Sequence, residues 1–396
     1  MSNFASFKKN RIQTTMEKHN LDVLIATLPE NLYYLSCFKS ISHRILNRVQ
    51  AFAMYVRKND ELTMIVPCAD VATLIEQHED ANVVCFGNFF FSFPDIAQSQ
   101  STKKIKQITK NRFASSMEAL CEAINKVGLR SGKVGMDESR ITPQLWKSLT
   151  DTFSDLEFVP GEAIFSEIRM IKHASEISLL ERSAEIAEES LLSALDKLKI
   201  GMTELDIEQS YIEEVVKRGG RPFFNVISEG LRSAYADTIN TSQKIADGSI
   251  LRFDFGCLYH DYRSDIARTA VVGRVPAKVE EYYGYILEGE NKLVEYIKPG
   301  ITAEALFEVA VDKVKEGIPH YKRQHVGHGI GLEVYDTPSL APGIQTKLEP
   351  GMVLCVETPY YELEWGGVQI EDTVVVTEGG CRFLTKTSRE LIKIGG

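Results

Sequence analysis

From residue 174 the chain runs through a succession of elements and then runs through it again. A helical pattern over about residues 174–198 leads into KIGMTELDIEQSYIEEVVKRGG, and from residue 278 KVEEYYGYILEGENKLVEYI leads into KPGITAEALFEVAVDKVKEG. The starts G-[MI]-T-[EA] lie at Gly201 and Gly300, 99 residues apart. Strand-like segments follow each helix pair, and each copy ends in a hairpin. Duplicated units of this kind pack on one another, which brings corresponding parts together.

Both hairpins carry acids where strands usually carry apolar residues. In LRFDFGCLYHDYRSDIARTA (residues 251–270), a turn centred between Tyr259 and His260 sets Asp254 opposite Asp265. In GMVLCVETPYYELEWGGVQIEDTVVVT, a turn centred on Glu364 sets Glu357 opposite Glu371. Like charges directly across a ladder destabilise it, so a cation belongs between them. Either hairpin alone also fits a solvated tip. Two copies that each end in opposed acids favour a metal site.

Between the hairpins lies RQHVGHGIGLEVYDTP, where His325 and His328 sit among glycines that allow close backbone approach. Two aspartates, two glutamates and one imidazole can hold two divalent cations, which lower the pKa of a water and polarise a carbonyl. The expected product is a hydrolase of amide-like bonds. Oxygen-rich ligation favours Mn²⁺, with Co²⁺, Fe²⁺ and Zn²⁺ left open by the imidazole.

The totals exclude several classes. A net charge of −10 argues against nucleic acid as partner. No apolar run approaches the ~20 residues needed to span a bilayer. The first residues lack the apolar core of a signal peptide. Seven scattered cysteines without a C-x-x-C pair suit reduced thiols in a cytoplasm. Cys257 and Cys355 lie near the acid hairpins and read as packing residues.

Residues 1–162 read as a separate α/β domain and residues 163–396 as the domain of two helix–helix–hairpin halves. In the first, LDVLIAT and ANVVCFG are strand-like, and QAFAMYV and ELTMIVP flank RKND as a hairpin. DIAQSQSTKKIKQITKN reads as a loop or an exposed helix. No catalytic constellation stands out there.

The motifs DFG…SDIART, GHGIGLEVYDTP, LEPGMVLCVETP and GGVQIEDTVVVT resemble the creatinase/aminopeptidase P/prolidase family, the pita-bread metallopeptidases. IRMIKHASEISLL and LDVLIATLPENLYYLSCF extend the resemblance over nearly the whole chain. It implies an N-terminal creatinase-type domain and a C-terminal pita-bread catalytic domain. It implies Asp254, Asp265, His328, Glu357 and Glu371 as metal ligands, spaced 11, 63, 29 and 14 residues apart. It also implies a homodimer, two divalent metal ions with Mn²⁺ or Co²⁺ as the usual choice, and cleavage of Xaa-Pro bonds. Glu357 is the expected proton shuttle, and His325 or Tyr335 the expected hydrogen-bond donor to the oxyanion or the leaving nitrogen.

The surrounding shell departs from the family. Asp237 stands in SAYAD where the family has a histidine, Gln324 replaces a histidine four residues before His328, Tyr335 stands for a histidine in VYD, and Gln369 replaces an arginine before the last ligand. Asp237, Tyr335 and Gln369 are therefore the expected substrate-binding positions. Lost positive charge there predicts weak turnover of ordinary Xaa-Pro dipeptides. It also predicts a gain of about tenfold on restoring Tyr335→His with Gln369→Arg. Three readings follow: an Xaa-Pro dipeptidase or aminopeptidase, a metal-dependent hydrolase or lyase of a non-peptide small molecule, and a non-catalytic binder on the same fold.

Overall fold

The computed structural model describes residues 2–46, 51–96 and 98–395. The chain divides into two compact units between Ile168 and Arg169.

The N-terminal unit is built on a six-stranded mixed sheet in the order Asn82–Phe86, Glu61–Pro67, Phe52–Val56, Val23–Ala26, Gly132–Met136, Leu156–Pro160. Its central strands, VLIA and FAMYV, are buried at every residue, as strands covered on both faces are. The hairpin across RKND forms with Asp60 in the left-handed region at φ 60°. Gln100–Lys110 is a helix capped by Ser99, half-buried to exposed along its length except at Thr109, so the polar stretch resolves as a helix.

In the C-terminal unit, helices α1 (Ala174–Leu195) and α2 (Glu204–Lys217) precede strands β1 (Arg221–Glu229), β2 (Ile250–Tyr259) and β3 (Ile266–Val272). Helices α3 (Ala277–Tyr296) and α4 (Ala303–Lys315) then precede β4 (Gly327–Gly329), β5 (Asp336–Ser339), β6 (Val353–Glu357) and β7 (Glu371–Thr377). The repeat is visible in detail. Thr203 and Thr302 cap α2 and α4. Gly201 and Gly300, at φ 91° and 86°, donate their N–H groups to Ile245 O and Leu348 O, each at 2.9 Å. The strands join in one sheet in the order β5-β4-β6-β7-β3-β2-β1. Apolar faces of α1 and α2 pack with Leu251, Phe253 and Phe255, and those of α3 and α4 with Leu354, Val356 and Val374.

The second hairpin has the register expected, with Glu357 paired to Glu371 and Glu364 at the turn in the left-handed region. The first is shifted. Tyr259 pairs with Tyr262, the turn is His260–Asp261, and Asp254 faces Ala267 instead of Asp265. His260 and Asp261 take φ 48° and 70°, the two left-handed residues that the favoured two-residue hairpin turn requires. The shift moves the pairing by two residues, so Asp254 and Asp265 stay on one face. Gly256 makes room for the returning chain, since a Cβ there would lie 1.9 Å from Ser264 O.

On the opposite face of β3, the buried Arg268 donates to Asp372 Oδ1 (2.7 Å), Glu371 O (2.8 Å) and Ser388 O (3.1 Å). It ties the C-terminal segment to the strand that carries Glu371. Arg268→Met is expected to lower the free energy of unfolding by about 3 kcal/mol, because it leaves the buried Asp372 with Arg389 as its remaining charge partner and strips the donors from Glu371 O and Ser388 O. Urea denaturation would read this directly, and a loss under 1 kcal/mol would contradict it.

Candidate metal centre

Sheet register builds the site. Asp254 pairs with Ala267, Ala267 with Glu371, and Glu371 with Glu357. These four residues form one transverse row over β2, β3, β7 and β6. Directly paired residues present their side chains on the same face. Three carboxylates thus converge over an alanine whose small side chain leaves the space above it open. Asp265 enters the same face at the start of β3. His328 enters from β4, paired with Cys355. The glycines around His328 are required, because a Cβ on Gly327 would lie 2.1 Å from Cys355 O and one on Gly329 2.2 Å from Thr337 O.

His328 Nε2 lies 3.6 Å from Asp265 Oδ2 and 3.9 Å from Glu371 Oε1. Its Nδ1 is 3.0 Å from Gly329 O, so an Nδ1–H donates there and Nε2 keeps its lone pair for the centre. Burial lowers the imidazole pKa to about 4, which leaves it neutral at physiological pH. The carboxyls move the other way. Burial, partly offset by Arg252, raises Asp254 to about 6. Burial raises Glu357 too, against Arg323 and Arg252. Asp265 and Glu371 are held well above the carboxylate range by burial and by their acidic neighbours.

This arrangement fits divalent cations. Asp265 Oδ1 and Glu371 Oε1 are buried with no hydrogen-bond partner among the described residues, and buried acceptors left open in this way call for a ligand. One ligand atom from each of Asp265, His328, Cys355 and Glu371 falls within 4.8 Å of the others. Cys355 was expected only as packing. Its Sγ also faces Asp265 O and Thr373 Oγ1, each at 3.7 Å, and burial keeps the thiol well above its usual pKa.

A cavity of about 230 Å³ opens over the centre, lined by Phe223, Phe224, Val226, Asp237, Val334 and Tyr335 together with Asp254, Asp265, His328, Glu357 and Glu371. Tyr335 lays its ring over that of His328, centroids 4.1 Å apart. His325 stands beside the cavity with Nδ1 3.1 Å from Glu357 Oε1. Gln369 lies beneath it. Its Nε2 donates toward Asp254 Oδ2 (3.2 Å), Glu357 Oε2 and Glu371 Oε2 (both 3.4 Å). Its Oε1 accepts from Arg252 Nη1 (2.8 Å) and from the Tyr361 hydroxyl (3.0 Å).

Sequence reasoning missed Arg252, Arg323 and Tyr361. Arg252 is fully buried and donates to the carbonyls of Ser233, Tyr235 and Ala236. Arg323 Nη2 lies 3.6 Å from Glu357 Oε1. The shell has therefore not lost its positive charge. Parity could have found Arg252, since it precedes Asp254 by two residues on an alternating strand. No signal in HYKRQHVGHG marks Arg323.

Residues 178–378 match the model of metallopeptidase family M24, and residues 8–171 that of the creatinase/prolidase N-terminal domain. The chain is 37% identical over 240 residues to an Xaa-Pro dipeptidase of Pyrococcus furiosus, covering 60% of this chain and 69% of that one. Among solved structures, an Xaa-Pro dipeptidase from Bacillus anthracis superposes with a TM-score of 0.81 at 26% identity, over 98% of this chain and 99% of the other. The prolidase from Pyrococcus furiosus superposes with a TM-score of 0.75 at 27% identity, over 95% and 99%. Among the described residues no helix is long and apolar enough to cross a membrane.

Proposed function

The chain belongs to metallopeptidase family M24, and we propose that it hydrolyses the bond preceding proline in short peptides, using two divalent cations, Mn²⁺ foremost. Asp254, Asp265, His328, Glu357 and Glu371 would hold them. The observation that carries this reading is the row of buried acids with Asp265 beside it, in which Asp265 Oδ1 and Glu371 Oε1 are left open. The substrate class follows the Xaa-Pro dipeptidase of Pyrococcus furiosus. A homodimer acting in the cytoplasm belongs to the same reading.

When bound, the cations supply Lewis acidity to the scissile carbonyl and lower the pKa of a water molecule. The protein's own groups do the rest. Glu357 is the proton carrier, taking the proton of the attacking water and returning it to the leaving nitrogen. As a carboxylate facing the centre it would lie within reach of a proton on that water, the geometric requirement for the task. Gln369 Nε2 approaches one of its oxygens and His325 Nδ1 the other. Phe223 and Phe224 give the cavity an apolar wall, suited to a pyrrolidine ring, and they exclude water from the reacting atoms. Tyr335, over the ring of His328, is within the cavity to donate to a developing oxyanion.

A panel of Xaa-Pro dipeptides, matched Xaa-Ala controls and simple amides, assayed after loading with Mn²⁺, Co²⁺, Fe²⁺ or Zn²⁺, tests the reading. Metal-dependent cleavage confined to the proline peptides is expected. With Arg252 and Arg323 beside the site, lost positive charge is no longer a ground for weak turnover. Cleavage that survives exhaustive chelation would overturn the metal-dependent mechanism. A panel in which no peptide is cleaved would favour the second reading, a hydrolase or lyase of a non-peptide small molecule. The rewired Gln369–Arg252 contact is the observation that speaks for that reading.

A further inference from the structure

Two buried cations meet acids on either side of Tyr335 in the chain. We propose that Arg169 and Lys172 are positioning residues of the metal centre: by pinning Glu333 and Asp336 they hold Tyr335 over His328. The effect on turnover rests on the amide-hydrolase reading above; the hold on the loop stands apart from it.

Arg169 and Lys172 belong to IRMIKHASEISLL, a motif that the metal ligands leave unexplained. Their side chains are 3% and 2% exposed, and that of Asp336 is 1% exposed. Arg169 Nη2 donates to Glu333 and, at 3.4 Å, to Asp336 Oδ1. Lys172 Nζ donates to Met170 O at 3.3 Å and lies 3.6 Å from Asp336 Oδ2. Gly331 keeps the space clear, since a Cβ there would lie 3.1 Å from both Asp336 Oδ2 and Lys172 Cε. Two cations thus meet two acids. Replacing buried ion pairs by apolar residues of similar volume is often neutral or stabilising, so stability alone does not account for these. What they add is a fixed place for Glu333 and Asp336.

The loop needs such a hold. Residues 331–335 are a run of bends outside any helix or strand. Tyr335 is 65% exposed, so core packing does not fix it, and its ring rests on that of His328. Asp336 closes the loop as the first residue of β5, where it pairs with Gly329, the neighbour of His328. Glu333 and Asp336 therefore bracket Val334 and Tyr335, both of which line the cavity over the centre. Anchoring the chain on either side of Tyr335 sets where its hydroxyl stands above the ligands. A misplacement of about 1 Å caused far from the chemistry can cost roughly 10²-fold in rate, and supporting contacts of this kind are what keep a site in its productive geometry.

Hydrogen exchange in the Mn²⁺-loaded full chain tests the hold directly. The Gly331 N–H is bonded to Glu333 O and the Arg263 N–H to Gly331 O, each at 3.0 Å. Arg169→Met and Lys172→Met are each expected to speed exchange at these two amides at least tenfold. The amides of β6 and β7 should stay within about twofold of the parent, and metal content, read by elemental analysis, should not change. Glu333→Ala, at a side chain one-third exposed, gives a milder variant, with exchange about threefold faster, should both of the others fail to fold. On the Xaa-Pro dipeptide that the parent cleaves best, Arg169→Met should lower kcat at least tenfold with KM within about threefold. In a Tyr335→Ala background it should cost less than about threefold more, because the group it positions is gone. A full tenfold loss in that background, unchanged exchange at Gly331 and Arg263, or loss of the cations in Arg169→Met would each overturn the proposal. A parent that cleaves no peptide in the panel would overturn the amide-hydrolase reading instead, and the exchange result alone would then decide the hold on the loop.

Discussion

Stripping divalent cations from the protein is expected to lower its melting temperature by about 5–10 °C at pH 7.5. A cation bound only by the native state adds about 2.7 kcal/mol at a hundred times its Kd. One kcal/mol moves the midpoint of a domain of this size by roughly 2–4 °C. Removal leaves Asp254, Asp265, Glu357 and Glu371 converging in a buried site, with Arg252 and Arg323 as the facing cations. Hydrogen exchange should place the loosening in residues 169–396 and leave the N-terminal sheet protected. Added Mn²⁺ should restore both signals. A chelated protein that melts with the loaded one would mean that these acids hold no cation.

The effect has a pH signature. In the metal-free protein the four carboxyls are raised above their unfolded values, Asp254 to about 6. The folded state then binds more protons than the unfolded state. Stability from this source is fully present below about pH 4 and is lost as pH rises through 6 and beyond. The loaded protein runs the opposite way, because its ligands must be ionised and acid displaces the cation. The gap between the two melting temperatures should therefore widen from pH 5 to pH 8. A gap that narrows over that range would contradict the shifts on which it rests.

What could be read from the chain was whatever depends on period and pairing. The doubled helix–helix–hairpin order was legible because Gly201 and Gly300 perform the same task, each starting a capped helix from a left-handed residue. The pairing of Glu357 with Glu371 was legible because the turn around Glu364 is symmetric. The first hairpin was misplaced by one residue at the turn, because neither His260 nor Asp261 is a glycine or asparagine, yet both take positive φ. The row that unites the two acid pairs runs through Ala267, and an alanine in IART gives no warning that it is the centre of a site. Arg252 shares the face of Asp254 by parity, but its burial, like the approach of Arg323, was not legible, for a different reason. Long side chains reach the centre from positions that charge counting assigns to solvent, and only tertiary packing decides that Arg252 is wholly buried.

That last point reverses an expectation. From sequence, Gln369→Arg made together with Tyr335→His restores lost positive charge and raises activity. In the folded chain Gln369→Arg is expected to lower kcat/KM by at least tenfold, about 1.4 kcal/mol, and to weaken metal binding by roughly 10–100-fold. Gln369 is both acceptor and donor: it takes hydrogen bonds from Arg252 and Tyr361 and gives them to three carboxylates. An arginine has five donors and no acceptor. It would leave Arg252 Nη1 and the Tyr361 hydroxyl without their partner and press a second guanidinium against the first. Arg252 cannot retreat, because its Nε and Nη2 are bound to the carbonyls of Ser233, Tyr235 and Ala236. The exchange Arg252→Gln with Gln369→Arg puts one cation and one amide back into the pair. It should recover part of the loss, with a coupling above 1 kcal/mol in the double-mutant cycle. If Gln369→Arg alone turns over substrate faster than the parent, Arg252 does not compete for that position and the simple charge-restoration argument holds instead.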